Sequence, residues 1–299
     1  MWFWQNPNKL GGANDPPPVH THGPVAVGGV GGSGTRLVAN ILAEFGYFIG
    51  DDLNRASDNL WFTLLFVRPG ILGASEKDFS RLVQIFVNGM MERRPFTPYQ
   101  LWMMDQCARE IASRSERARR RSLVQSLRRA ATNQRPAGPW GWKEPNTHVV
   151  LDRLLLSLPG MKYIHVMRNG LDMAYSDNQR QLRVWGETLL GRPMKGTPGN
   201  SVKYWTAVHK RVQAIGAGMG RNFMLLNFDE LCMDTERVLD ALRDFLEVDV
   251  TDAQLQNARG LIKKPSSIGR YKQHGLEEFD QGDLAYIASL GFDVSLGRP

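Results

Sequence analysis

The sequence has few cysteines and no long apolar run, and each shortage excludes a class of protein. Only two cysteines, Cys107 and Cys232, occur among 299 residues, too few for a disulfide framework. We therefore expect a reducing compartment, the cytoplasm. No apolar run approaches the roughly 18 residues that a membrane-spanning helix needs, so no membrane span is predicted. The aromatic N-terminus "MWFWQNPNKL" lacks the basic start and the long apolar segment of a secretory signal.

Patterns for metal binding and nucleic-acid binding are also absent. His20 and His22 form an isolated His-x-His pair, and no cluster of cysteines or histidines completes a metal site. No recognised RNA- or DNA-binding module is present. The formal charge of +7 nevertheless favours anionic partners such as nucleotides or acidic glycans. The run from Arg114 to Ala130, with seven arginines, is interpreted as a solvated helix face, with a rim for an anionic acceptor as the alternative.

Strand-like and helix-like segments alternate along most of the chain. Short apolar runs such as Val25–Val27 and "MKYIHVM" are separated by segments with helical spacing of apolar residues. This alternation predicts an α/β protein with a central parallel sheet covered on both faces. We expect an N-terminal arm over residues 1–24 and a single domain over 25–299, with a helical insertion at about 54–135. "GYFIG" is a possible second short strand, and "GLDMAYSDNQRQL" is predicted to be one helix.

The segment "VAVGGVGGSGTRLVANIL", from Val25 to Leu42, has the pattern of a strand, a glycine-rich turn and a helix. Such a unit directs backbone N–H groups and the positive end of the helix dipole at one anion. Gly29 and Gly34 have the spacing of the phosphate-binding P-loop, but Thr35 stands where that pattern has lysine. The missing lysine disfavours a P-loop nucleotide-dependent kinase, which stays the alternative enzyme.

Two motifs in this order resemble the sulfotransferases that use 3′-phosphoadenosine 5′-phosphosulfate (PAPS). "GGSGTR" resembles their 5′-phosphosulfate loop, with Gly32 in place of the usual lysine or arginine. "YIHVMRNGLDMAYSDNQ" resembles their 3′-phosphate motif, in which an arginine (Arg168) precedes a serine (Ser176) by eight residues. Three further segments resemble the family: "GWKEP", "LLNFDELCMDTERVLDALRDFLEV" and "KKPSSIGRYKQ". The resemblance spans about residues 25–275 and is closest to the bacterial, tyrosylprotein-like and carbohydrate-like members.

The resemblance implies a P-loop-NTPase-like three-layer α/β sandwich and a PAPS-dependent sulfotransferase activity that releases adenosine 3′,5′-bisphosphate. It assigns nucleotide binding to residues of the two motifs and of the late loop: Gly31, Gly32, Ser33, Gly34, Thr35, Arg36, Arg168, Ser176, Arg270 and Lys272. Lys143 is expected to supply the cation that Gly32 cannot, with Arg36 as the other candidate.

A general base must take the proton of the acceptor. Asp51 and Asp52 in "IGDDLN" occupy the place where the tyrosylprotein type carries its glutamate, so they are the candidates, ahead of Asp58 and Glu44. The acceptor is expected to be a small molecule or glycan with a hydroxyl or amine. A nucleotide- or polyanion-binding protein without catalysis is the remaining alternative.

Overall fold

The computed structural model describes residues 23–110, 114–134 and 136–296. At its centre is a wholly parallel four-stranded sheet in the order β2-β1-β3-β4. The strands are β1 (Val25–Gly29), β2 (Gly141–Lys143), β3 (Lys162–Met167) and β4 (Phe223–Asn227). The first three are buried along their whole length, as expected of parallel strands with helices on both faces. The predicted α/β fold with a central parallel sheet is confirmed. The predicted arm lies, except for its last two residues, outside the described residues.

Successive side chains of a strand point to opposite faces of the sheet, and the two faces carry separate cores. Val25 and Val27 of β1 pack in one core with α1 (Thr35–Glu44), α11 (Thr235–Leu246) and α12 (Asp252–Leu261). Ala26 belongs to the larger core on the other face, which includes α9 (Pro198–Ala217) and α13 (Gln281–Ser289). The sheet is therefore the middle of three layers.

Among the described residues between α1 and β2, four α-helices occur: α2 (Leu60–Phe66), α3 (Glu76–Val87), α4 (Pro98–Arg109) and α5 (Arg114–Ala130). They fall within the predicted insertion and join the larger core through aromatic side chains. Phe62 stacks on Trp142 of β2 with ring centroids 5.6 Å apart, and Phe86 meets the same indole edge-on at 5.0 Å. No helix in the described part of the chain is long and apolar enough to cross a membrane.

The other helices are α6 (Leu151–Ser157), α7 (Gly170–Ala174), α8 (Arg180–Leu190) and α10 (Phe228–Met233). Two local predictions were wrong. "GYFIG" forms only a single parallel bridge, between Phe48 and Trp140. "GLDMAYSDNQRQL" is divided between α7 and α8, because the Gln179 side chain donates to the carbonyls of Met173, Ala174 and Ser176 and caps the end of α7.

Candidate active site

The glycine-rich loop joins the end of β1 to the start of α1. Gly32 and Gly34 have φ of 98° and 97°, in the left-handed region that favours glycine. A Cβ on Gly34 would lie 2.1 Å from the ring of Phe228, so this position also lacks the room for a side chain. The loop is closed by a hydrogen bond of 3.0 Å from the Ser33 amide to the Val30 carbonyl. The turn that the sequence pattern predicted is therefore present.

The hydroxyl side chains of this loop are enclosed. Ser33 is 1% exposed, and its Oγ is a buried polar atom without a hydrogen-bond partner among the described residues. Thr35, at the start of α1, is also buried, whereas Arg36 is exposed on the first turn. A buried hydroxyl without a partner costs free energy, so Ser33 fits a loop that receives a ligand.

The segment with Arg168 and Ser176 reaches the same place from β3. Asn169 caps α7 by accepting from the Leu171 amide at 2.9 Å, and the chain then brings Ser176 beside the loop. A Cβ on Gly32 would lie 3.8 Å from Oγ of Ser176. The fold therefore places together the two motifs, which stand more than a hundred residues apart in the sequence.

The Arg168 side chain is buried at the carboxyl end of β3. Its Nη2 donates to Oγ of Ser267 at 2.7 Å, and its Nε lies 3.8 Å from Oδ1 of Asp229 without forming a hydrogen bond. The guanidinium also lies over the Phe228 ring, 5.6 Å from its centroid. Burial raises the pKa of Asp229, and the charge of Arg168 opposes that rise. The guanidinium thus retains an unused donor in a buried site.

The late loop is attached to α7 by one carboxylate. Oδ2 of Asp172 accepts from the Gly269 amide at 2.8 Å, and Oδ1 accepts from the Tyr271 amide at 3.2 Å. Arg270 donates to the Tyr175 carbonyl at 3.1 Å, so it lies beside the connection between α7 and α8. Lys272 is paired with Asp293 at 2.6 Å.

Sequence reasoning did not identify Ser267, Asp229 or Asp172 as site residues. The late-loop pattern contained Ser267, but nothing in the chain order paired it with Arg168. Asp172 has the spacing of an ordinary acid in the first turn of a helix, and its role appears only when the late loop is folded against it.

Lys143 ends β2, next to β1 in the sheet, where it pairs in register with Val27. Its side chain is 3% exposed, and Nζ forms an ion pair with Asp58 and donates to the Ala56 carbonyl at 3.0 Å. Ser57, between these two partners, has a left-handed φ of 61°. Such a conformation is uncommon for serine and persists only where its surroundings impose it. The loop that precedes α2 is therefore folded around the lysine.

The candidate bases occupy different positions in this region. Asp51 is exposed and is held by Arg93 at 2.7 Å and by Asn133 at 3.3 Å. Oδ1 of Asp52 accepts from Ser126 of α5 at 3.2 Å, while its Oδ2 is buried without a partner among the described residues. Asp58 is the acid in contact with Lys143. Glu44 lies at the end of α1, where its backbone carbonyl accepts from the Gln254 side chain at 2.9 Å.

Glu144 is a buried acid directly after Lys143. Its two oxygens accept from the amide and the side chain of Asn146, at 2.6 and 2.8 Å. Burial, with a smaller contribution from the charge of Asp58, raises the pKa of Glu144 to about 7. Within the described residues, no group of three or more His, Cys, Asp or Glu side chains could hold a metal ion.

Comparison with known proteins identifies the family. The sequence model of the sulfotransferase family matches residues 24–252. The chain belongs to the sulfotransferase family. No curated protein sequence matches the chain. The family resemblance noted in the sequence is confirmed, and the chain is a transferase enzyme.

The solved structures similar to this sulfotransferase include two sulfotransferases and a retinol dehydratase. The sulfotransferase domain of the Synechococcus PCC 7002 olefin synthase is 18% identical, with a TM-score of 0.53 over 92% of this chain and 97% of that one. STF9 from Mycobacterium avium is 14% identical, with a TM-score of 0.49 over 93% and 79%. Retinol dehydratase, in a complex with retinol and PAP, is 15% identical, with a TM-score of 0.41 over 92% and 83%. The first of these supports the P-loop-NTPase-like fold of this sulfotransferase.

Proposed function

We propose that this sulfotransferase uses PAPS as its donor and transfers the sulfuryl group to a hydroxyl or amine of a small-molecule or glycan acceptor. The observation that carries the proposal is the meeting of the two motifs, in which Ser176 lies beside Gly32. The donor set also fits the ligand, because Ser33 Oγ and Arg168 Nε are buried polar groups without hydrogen-bond partners in the described part of the chain. Such groups are suited to phosphate oxygens.

The proposed binding roles follow from these positions. The amides of Gly31 to Arg36 and the hydroxyls of Ser33 and Thr35 hold the 5′-phosphosulfate, at the N-terminus of α1. Arg168 and Ser176 hold the 3′-phosphate, and Arg270 and Lys272 contribute charge from the late loop. PAPS, when bound, supplies a sulfuryl group whose bond to the phosphate oxygen breaks as the bond to the acceptor forms.

Lys143 is the proposed cation at the transferring group. A loop of amides supplies only partial charges, and transfer builds negative charge on the leaving phosphate oxygen. Lys143 ends the strand next to β1 and carries the buried charge that Gly32 lacks. Arg36 remains the second candidate, although its side chain is exposed.

The base is proposed to be one of three acids in the segment before α2. Asp51 and Asp52 remain candidates from the sequence, and their neighbours Arg93 and Ser126 belong to the helical insertion. Asp58 joins them because it contacts Lys143, so an acceptor that reaches the sulfuryl group meets its carboxylate. Asp51→Asn, Asp52→Asn and Asp58→Asn separate the three: the base variant lowers kcat by 10²-fold or more, the magnitude of general-base catalysis. Equal small losses in all three would place the base elsewhere.

Differential stabilisation by nucleotides tests the donor assignment. Adenosine 3′,5′-bisphosphate should raise the melting temperature, because it binds the folded state, whereas ATP should raise it less. Stabilisation by ATP alone would favour a P-loop kinase. That alternative is disfavoured because Thr35 stands where the P-loop pattern has lysine, and because the acid that follows β4, Asp229, lies against Arg168.

Turnover of labelled PAPS tests the proposed catalysis. Labelled PAPS incubated with a panel of hydroxyl acceptors distinguishes an enzyme from a protein that only binds the nucleotide. Bisphosphate binding without turnover on any acceptor would favour the binding protein.

We propose the cytoplasm as the compartment, since both cysteines are free.

A further inference from the structure

The buried side chain of Gln181 contacts two other segments of the proposed nucleotide site, the end of β1 and the segment after Lys143. It lies in the first turn of α8, five residues after Ser176, and is 7% exposed. Its Nε2 donates to the carbonyl of Gly29, the last residue of β1, at 3.2 Å. Its Oε1 lies 3.4 Å from Nε2 of His148, in the segment that follows Lys143.

The chemistry of the two partners fixes the orientation of this amide. A backbone carbonyl can only accept, so the NH₂ group of Gln181 faces Gly29 and its oxygen is left for His148. His148 therefore presents Nε2–H to the glutamine. Burial lowers the pKa of His148 to about 3, so the imidazole is neutral and the bond is kept across the ordinary pH range. One conformation of the glutamine thus satisfies both neighbours.

Gly29 is the point at which the chain leaves β1 and enters the glycine-rich loop. Its carbonyl is at the end of a buried strand, where a peptide group without a partner is costly. That carbonyl is part of the planar peptide group that joins Gly29 to Val30, and the turn closed by Ser33 and Val30 begins there. A displaced Gly29 carbonyl would therefore displace the amides of the loop.

We propose that Gln181 is a positioning residue for the donor site. It holds the phosphosulfate loop in place against the Lys143 segment and against the α7–α8 connection that carries Ser176. The proposal rests on the proposed function, because the ligand for which the loop is positioned is the bisphosphate portion of PAPS. It assigns to Gln181 no contact with the donor itself.

The histidines and the tyrosine that pack around Gln181 keep one protonation state in the range used for the test. Glu144, whose pKa burial raises to about 7, is common to the wild type and the variants and cancels in the ratio of their Kd values. His165 meets His148 with ring centroids 6.2 Å apart, and His209 meets His165 at 4.9 Å. Burial lowers the pKa of His209 to about 4 and that of His165 well below its usual value. Tyr204, which lines a small cavity with Gln181 and Gly31, has a pKa raised by burial. The guanidinium of Arg211 donates to the His148 carbonyl.

The first variant is Gln181→Met, which keeps the side-chain length and removes both hydrogen bonds. We expect calorimetry at pH 7.5 to show adenosine 3′,5′-bisphosphate binding about tenfold more weakly, the effect of roughly one hydrogen bond. The matched control is Gln213→Met on α9, whose lost partner is the Tyr286 hydroxyl at 2.8 Å, away from the loop. Unchanged affinity in a folded Gln181→Met protein would overturn the proposal.

The second variant, Gln181→Glu, tests the donor role with a signature that packing alone does not produce. A protonated carboxyl group can donate to the Gly29 carbonyl as the amide does, whereas a carboxylate repels it. The ratio of the variant's Kd to the wild-type Kd should be about ten at pH 8 and fall towards one at pH 5.5. The ionisation of the ligand's phosphates changes the Kd of both proteins equally, so its effect cancels in the ratio. Gln213→Glu should give a flat ratio near one.

The outcomes separate the two proposals. If the Kd ratio of Gln181→Glu is equal at both pH values, the donor role is refuted. This ratio can be measured even if Gln181→Met fails to fold. If the wild type binds the bisphosphate and both Gln181 variants bind it with the same affinity, the positioning role is refuted and the proposed function is not. A wild-type protein that binds no bisphosphate would refute the proposed function, and the role of Gln181 with it.

Discussion

At the scale of single residues, Arg168 and Ser176 are the residues that we propose recognise the 3′-phosphate. Arg168→Ala and Ser176→Ala should weaken binding of adenosine 3′,5′-bisphosphate much more than binding of AMP, which lacks that phosphate. Each lost charge-assisted hydrogen bond is worth about 1.5–3 kcal/mol. Isothermal calorimetry with both ligands measures the difference, and Arg237→Ala, which removes an exposed arginine paired with Glu230 and Asp234, is the control. Equal losses for both ligands would contradict the assignment.

Lys143 is the residue on which the rate should depend most. Lys143→Ala should lower kcat about 10²–10³-fold, the effect of removing one group that stabilises charge in the transition state. Bisphosphate affinity should change little, because the sulfuryl group is absent from that ligand. Lys203→Ala, at an ion pair with Asp280 and Asp283, controls for loss of a lysine. A near-normal kcat in Lys143→Ala would favour Arg36 as the cation at the transferring group.

The sequence was most informative where the chemistry depends on neighbours in the chain. The glycines and hydroxyls of the glycine-rich loop, and the spacing from Arg168 to Ser176, are local patterns, and local backbone geometry follows from them. The partners Ser267 and Asp229 come from distant segments, so chain order could not pair them with Arg168. Asp58 contacts Lys143 because the chain turns at Ser57. The left-handed φ of Ser57 cannot be predicted from its residue type. The contact of Asp58 with Lys143 could therefore not be predicted from the sequence.

At the scale of elements, the late loop is held to α7 by Asp172 through two backbone amides. Asp172→Ala should release the loop, and trypsin should cleave between Lys263 and Lys272 several times faster, since open segments are the ones that proteases cut. Mass spectrometry of timed digests locates the cuts. Bound bisphosphate should slow them in the wild type.

The control for the late loop is Asp280→Ala, which removes an exposed acid from an ion pair with Lys203 and leaves the Asp172 contacts in place. Identical digestion of the wild type and Asp172→Ala would show that the two amide contacts do not restrain the loop. Cleavage that bisphosphate leaves unaffected would instead argue against a nucleotide contact from this loop.

Elements also explain why the fold was easier to predict than its details. β1, β2 and β3 are short apolar segments that only a covered parallel sheet can bury, so their alternation with helices indicates the architecture. The break between α7 and α8 escaped prediction because it depends on one side chain, Gln179, which takes three carbonyls that would otherwise accept helical amides. Helical spacing of apolar residues continues across such a break without signalling it.

At the scale of the whole molecule, Glu144 should tie stability to pH. Burial raises its pKa in the folded protein to about 7, above the ordinary value of 4.5 that applies when the chain unfolds. Between those values the folded state holds a proton that the unfolded state has released. The contribution of Glu144 to the free energy of unfolding therefore falls as pH rises from about 4.5 to 7 and is level above that.

The buried histidines act in the opposite direction and must be separated from this effect. Burial lowers the pKa of His148, His165 and His209, so the unfolded state takes up protons below its ordinary histidine pKa while the folded state does not. Their contribution to stability is present above that pH and is lost as the solution is acidified. The wild-type profile alone therefore mixes two opposing slopes.

Glu144→Gln isolates the carboxyl group, because the histidines are common to both proteins and cancel in the difference. The glutamine cannot accept both hydrogen bonds from Asn146, which subtracts a constant amount of stability without adding any slope. From pH 5 to pH 8 the wild type should therefore lose about 1–3 kcal/mol relative to the variant. Urea unfolding at each pH measures this, with Glu187→Gln at an exposed site of α8 as the control. A difference that stays constant with pH would mean that Glu144 is ionised in the folded protein throughout, and that the hydrogen bonds from Asn146, together with the charge of Lys143, outweigh the cost of burial.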